Sequence, residues 1–105
     1  MSVPWFVYIL ECGDGSLYTG VALDVRARVQ EHANGKGARY TRGRGPINLR
    51  AKARCSTHGD ALRVEYAIKQ LSRTEKDDLV GKPHRLRAFV RRHLRAIESG
   101  PKKKP

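Results

Sequence analysis

A chain of 105 residues fits one domain with a modest core and leaves no room for two. Twenty-two Lys and Arg oppose ten Asp and Glu, for a net charge of +12, which suits a polyanionic partner and first of all nucleic acid. Two cysteines, Cys12 and Cys55, exclude a disulfide framework and a cysteine-rich zinc site and point to reduced thiols. The apolar run from Val3 to Leu10 is too short to span a membrane and lacks the basic flank of a signal peptide. A cytoplasmic protein lying with the nucleoid is expected, with no membrane partner.

The charge is unevenly placed. Residues 1–25 carry three acids and no Lys or Arg. Residues 26–54 carry nine Lys or Arg and one acid, and residues 73–105 carry eleven against four. The N-terminal segment therefore stays free of the basic surface.

Phe6 to Glu11 reads as a strand, rich in aromatic and β-branched residues. Gly13-Asp14-Gly15 is a turn, and Leu17 to Gly20 is the return strand of a hairpin. Asp24 caps a helix over Val25 to Ala33, with Val25, Val29, His32 and Ala33 on one face and Arg28 at its margin. Gly35 and Gly37 end it. The segment from Gly35 to Pro46 holds four Gly and four Lys or Arg, and reads as a flexible basic loop. Ile47 to Ser56 is a third strand. Asp60 is a cap for a second helix reaching Leu71, with Ala61, Val64, Ala67, Ile68 and Leu71 as its stripe. Ser72 and Glu75 form a capping box for a short third helix, which Gly81 and Pro83 break. Arg85 to Ile97 is a basic amphipathic helix with Leu86, Phe89, Val90, Leu94 and Ile97 inward. The order β-β-α-β-α-α-α is an α/β domain on a small three-stranded antiparallel sheet flanked by helices. The expected organisation is a body over 1–82, a basic helix over 83–99 packed on it, and a disordered basic tail over 100–105.

The hairpin register decides whether its tyrosines can act together. A two-residue Asp14-Gly15 turn would place Tyr8 and Tyr18 on opposite faces. A three-residue Gly13-Asp14-Gly15 loop pairs Cys12 with Ser16, sets Tyr8 against Gly20 and Tyr18 against Leu10, and puts both rings on one face. Gly15 suits the left-handed position of that loop, so this register is predicted. On the following helix Arg28 and His32 are four apart and therefore neighbours. Arg28 matches phosphate oxygens, and His32 could position Tyr18 or the phosphate.

Val7-Tyr8-Ile9, Tyr18-Thr19-Gly20, Arg28 ten residues after Tyr18, and Glu65 on a later helix together resemble the GIY-YIG nuclease family. The first tripeptide is degenerate, so its tyrosine is Tyr8. The second differs by Thr19. The run from Gly35 to Arg42 looks like the compact, single-domain, bacterial YhbQ-like branch. The resemblance covers roughly residues 5–80. It implies a metal-dependent endonuclease that hydrolyses DNA phosphodiester bonds, with Tyr8, Tyr18, Arg28, His32 and Glu65 as catalytic residues. Glu65 would hold the metal. One hard carboxylate among waters and phosphate oxygens suits Mg²⁺, with Mn²⁺ as a substitute. Tyr18, helped by Tyr8 or His32, would take the proton of the attacking water. A free tyrosine titrates near ~10, so Arg28 and the metal are needed to favour its charged form. Gly20, Lys36, Arg39, Tyr40, Arg42 and Arg44 are the expected nucleic-acid contacts.

Some relatives carry a lysine after the second tripeptide where this chain has Val21, and Lys36 is a candidate substitute. Branched, damaged or single-stranded DNA, as met in repair and branch processing, is the expected substrate by analogy with relatives. A non-catalytic nucleic-acid-binding module on the same scaffold, or a basic RNA-associated protein, stays open as an alternative. Taken singly, each tyrosine reads as a strand aromatic and Arg28 and Glu65 as surface residues. Their joint spacing in a strongly basic chain argues for a site.

Overall fold

Strand β1 (Trp5–Glu11) is the middle of a three-stranded antiparallel sheet in the order β2-β1-β3, with β2 at Leu17–Ala22 and β3 at Asn48–Cys55. The computed structural model describes residues 3–99, so the tail expected at 100–105 lies outside the described residues. The hairpin closes through the three-residue loop. Cys12 N donates to Ser16 O at 2.9 Å, and Gly15 has φ 85°. Tyr8 pairs with Gly20, and Leu10 with Tyr18, so both tyrosines stand on the same face.

Each face of the sheet is covered. Val7 and Ile9 of β1 and Ala53 and Cys55 of β3 pack on one side against α2 (His58–Lys69), α3 (Arg73–Gly81) and α4 (Pro83–Ser99). Ala61, Val64, Ile68, Leu79, Leu86 and Val90 supply the helical half of this core. On the other face Tyr8, Leu10 and Ala22 pack with Val25 of α1 (Val25–Ala33), with Val29 partly buried beside them. Period-two alternation in β1 thus feeds two cores, one wholly apolar and one containing a phenol.

Local chemistry explains the helix ends. The Asp24 carboxylate accepts from Ala27 N, and Ser72 and Glu75 complete a reciprocal capping box. The cap of α2 is Thr57 rather than Asp60, because its hydroxyl oxygen accepts from Asp60 N at 3.0 Å. Asp60 then sits in the first turn, where a negative charge also helps. Three further expectations need correcting. Ala33 is exposed, since the helix face turns its last residue away from the sheet. Pro83 opens α4 two residues earlier than expected, as suits a proline in a first turn. Ile97 is 39% exposed, beyond the stretch of α4 that packs on the core.

Strand β3 carries a bulge. Ile9 pairs with Ala51, but Leu10 pairs with Leu49, which leaves Arg50 as an extra residue. Strict alternation would send Leu49 to the same face as Ala51 and Ala53. The bulge turns it to the Tyr8 face, where it stays exposed.

Ile68 is fully buried between α2 and the sheet. Ile68→Ala should cost about 2–5 kcal/mol of stability in urea unfolding. A loss well under 1 kcal/mol would show that α2 does not anchor this core.

Candidate active site

The centre of the site is a buried polar chain. Tyr8 and His32 are each 1% exposed, and Tyr8 Oη lies 2.9 Å from His32 Nε2. The other ring nitrogen, Nδ1, receives the Ala38 backbone N–H at 3.3 Å. Nδ1 is therefore an acceptor, and Nε2 carries the proton and donates it to the phenol oxygen. Thr41 Oγ1 stands 2.9 Å from Nδ1 and 2.9 Å from Ala38 O, and its single hydrogen serves either acceptor. A doubly protonated ring would turn a second N–H against Ala38 N–H. Burial, and then the Arg28 charge, push the His32 pKa down, in agreement with that geometry.

Glycines make room for this chain. A Cβ at Gly20 would stand 2.6 Å from Tyr8 Oη, so the phenol lies directly over the backbone of β2. A Cβ at Gly37 would collide with the His32 ring. Gly20, one of the expected nucleic-acid contacts, is itself buried, with Tyr8 filling the space where a side chain would stand. The basic loop is tied down rather than loose. It forms a short 3-10 turn at Arg39–Thr41 with Thr41 buried, and Gly13 N donates to Arg44 O.

Tyr18 lies against this chain but stays half-buried at its outer edge. Its ring centroid is 5.2 Å from His32 and 5.9 Å from Tyr40, which stacks on it at 28°. Tyr40 is half exposed and carries Arg44 over its ring, 4.3 Å from the centroid. Arg44 is also paired with Asp14, whose carboxyl is held down to about 2 by hydrogen bonds from Ser16 and by Arg44. Arg44 thus serves as a brace between turn and loop. Lys36, Arg39 and Arg42 are exposed and make no ion pair among the described residues.

Arg28 sits at the margin of α1, 2.7 Å from Glu31 and beside the Tyr8 phenol. Glu65 projects from α2 with its side chain only 18% exposed, and Lys69 Nζ approaches it to 3.1 Å. Burial and then the neighbouring Tyr18 push the Tyr8 pKa up to about 12; Arg28 opposes this shift and Glu65 adds to it. Tyr8 therefore stays protonated at neutral pH. Val21 packs partly against the α2-side core, on the opposite face from Tyr8. The cation found at Glu65 is Lys69. Its position four residues on from Glu65 is a signal the sequence carries. Thr41 has no such signal, since only the fold brings it to His32.

No group of three or more His, Cys, Asp or Glu gathers among the described residues. A single half-buried carboxylate fits an ion that keeps most of its waters, and does not fit an all-protein cage.

The family model described as the GIY-YIG catalytic domain matches residues 4–78. The chain belongs to the GIY-YIG family. This is a nuclease family, whose members act on nucleic acid and generally use divalent metal ions. The UPF0213 protein BH0048 of Halalkalibacterium halodurans is 55% identical over 75 residues, covering 71% of this chain and 80% of that protein. A UPF0213 protein of Halobacterium salinarum is 52% identical, covering 70% and 95%. The UPF0213 protein YhbQ of Escherichia coli is 44% identical, covering 73% and 77%. The solution NMR structure of the UPF0213 protein BH0048 from Bacillus halodurans matches at 50% identity with a TM-score of 0.50, covering 79% of this chain and 92% of that one. Among the described residues no helix is long and apolar enough to cross a membrane.

His32 gives this site a pH signature. In the unfolded chain it protonates near 6.5, whereas the folded protein resists protonation. The unfolded state then binds more protons, so stability falls as pH drops below about 6.5. Urea titrations from pH 7.5 to 5 should show this fall, and His32→Gln should flatten part of it. An identical pH slope in the variant would contradict the neutral, buried ring.

Proposed function

We propose that this protein is a metal-dependent endonuclease that hydrolyses DNA phosphodiester bonds. The observation that carries the reading is the grouping of Tyr18, Arg28 and Glu65 around the buried Tyr8–His32 pair. Phosphodiester hydrolysis needs a base for water, positive charge at the phosphate and help for the leaving oxygen. Tyr18, the more accessible of the two site tyrosines, takes the proton of the attacking water. Arg28 binds the non-bridging phosphate oxygens, for which its planar guanidinium is shaped. Glu65 is the ligand for Mg²⁺, or Mn²⁺ in its place, which when bound neutralises charge on the leaving oxygen. Tyr8 and His32 are buried too deeply to touch substrate, so they act by fixing Tyr18 and Arg28. Lys69 pairs with Glu65, the carboxylate that would hold the ion.

Lys36, Arg39 and Arg42 line the exposed loop beside the half-exposed Tyr40 and serve as phosphate contacts. Branched, damaged or single-stranded DNA is the substrate class, and repair or branch processing beside the nucleoid is the setting. Residues 1–82 form the nuclease body and 83–99 a basic helix packed on it, the packing resting on Leu86 and Val90. A non-catalytic nucleic-acid-binding module is the second reading, and the Lys69–Glu65 ion pair favours it. The presence of Tyr18, Arg28 and Glu65 together weighs against it.

The test is cleavage of labelled single-stranded, duplex, flapped and four-way DNA with Mg²⁺. The parent should cut at least one of these. Glu65→Gln and Tyr18→Phe should each lower the rate by a factor of at least ~10² while binding persists. Binding without cleavage by the parent would support the second reading. Unchanged cleavage by Tyr18→Phe would remove the tyrosine base.

A further inference from the structure

Helix α1 divides two flanks of the molecule. At 3.6 residues per turn, Arg26 and Arg28 point about 160° apart around its axis. Arg28 stands beside Tyr8, on the catalytic flank. Arg26 points the other way and lines an open groove of about 390 Å³ with Gln30, Leu49 and Lys52. A second depression of about 310 Å³ continues from it around the edge of β3, again lined by Leu49 and Lys52 and closed by Arg50 and Arg87. The two share one rim, the outer edge of β3, which no other strand covers among the described residues.

The rim's chemistry is selective. Arg26, Lys52 and Arg87 make no ion pair among the described residues, whereas Arg50 is held by Glu11. Lys52 stands directly across the sheet from Tyr8 in register, with its ammonium over the Phe6 ring. The bulge at Arg50 places Leu49 among these cations, 40% exposed. Apolar Leu49, Val29 and Val80 interleaved with the cations Arg26, Lys52 and Arg87 suit a sugar–phosphate backbone, with phosphates on the cations and deoxyribose on the apolar side chains. It does not suit an apolar protein partner, which would bury three unpaired charges.

We infer that this groove is a second DNA-backbone contact surface, on the flank of α1 opposite the catalytic residues. The inference rests on the nuclease reading for its choice of DNA. It adds that substrate is held on both sides of α1, so a strand lying only in the catalytic cleft engages part of the binding surface.

The experiment uses the full chain carrying R26Q, K52Q and R87Q together. A charge-matched control carries R63Q, K76Q and R92Q, which lie away from the groove. Binding of labelled duplex and four-way DNA is measured by anisotropy with Ca²⁺ in place of Mg²⁺, across a salt series. Melting curves confirm folding of both variants. The groove variant should bind at least tenfold more weakly. Its slope of log K against log salt should fall by about two to three, at roughly 0.9 for each phosphate that is no longer neutralised. With Mg²⁺ it should show a raised KM and an unchanged kcat. Equal weakening in the control would reduce the effect to net charge and overturn the inference, as would unchanged binding in the groove variant. Tighter binding of structured RNA than DNA at the groove would overturn the choice of DNA. A parent that binds as described but cuts nothing would sink the nuclease reading and leave the groove standing.

Discussion

The hydrogen bond between Tyr8 and His32 is the constraint on which the site depends. Both groups are almost wholly buried, one from the central strand and one from α1. A buried polar group left without a partner costs roughly 1–3 kcal/mol, so neither residue can be moved alone. The bond fixes the roll of α1 on the sheet, and with it the direction of Arg28. It also fixes the position of the phenol over Gly20, which only a residue without a Cβ allows. Thr41 and Ala38 then hold the far side of the imidazole and draw the glycine-rich loop onto the site. Hairpin, helix and loop are thus three segments closed by one buried polar chain.

That arrangement separates support from chemistry. The groups inside are kept neutral: burial raises the Tyr8 pKa and lowers that of His32. The groups at the rim stay charged or accessible, namely Arg28, Glu65, Tyr18 and Tyr40. A neutral interior lets α1 pack on the sheet without desolvating a charge. Under the proposed function, the charges that remain outside are the ones that would meet phosphate and a divalent ion. The high phenol pKa of Tyr8 also explains why two similar tyrosines, one pair apart on adjacent strands, need not share a role.

Much of this is legible in the sequence where local chemistry decides. Asp24 and the Ser72–Glu75 box mark helix starts because short-range hydrogen bonds fix them. The Gly13-Asp14-Gly15 loop predicts the register that sets Tyr8 and Tyr18 on one face, and the structure shows it. What stays hidden depends on segments far apart in the chain. A loop with four glycines reads as loose until His32 is seen to receive Ala38 N–H and to meet Thr41. The bulge at Arg50 has no local signature in Asn48–Cys55, and it is what moves Leu49 to the Tyr8 face. Thr57 and Asp60 are both acceptable caps for α2, and only the hydrogen bond to Asp60 N chooses between them. Lys69 can be found from its spacing to Glu65 alone.

The most direct measurement is the ¹⁵N NMR signature of the His32 ring during a pH titration of the intact protein. One neutral tautomer is expected, with the proton on Nε2, persisting as the pH falls below 6.5. A ring that titrates at the ordinary value, or that exchanges freely between tautomers, would contradict the buried chain on which the site is built.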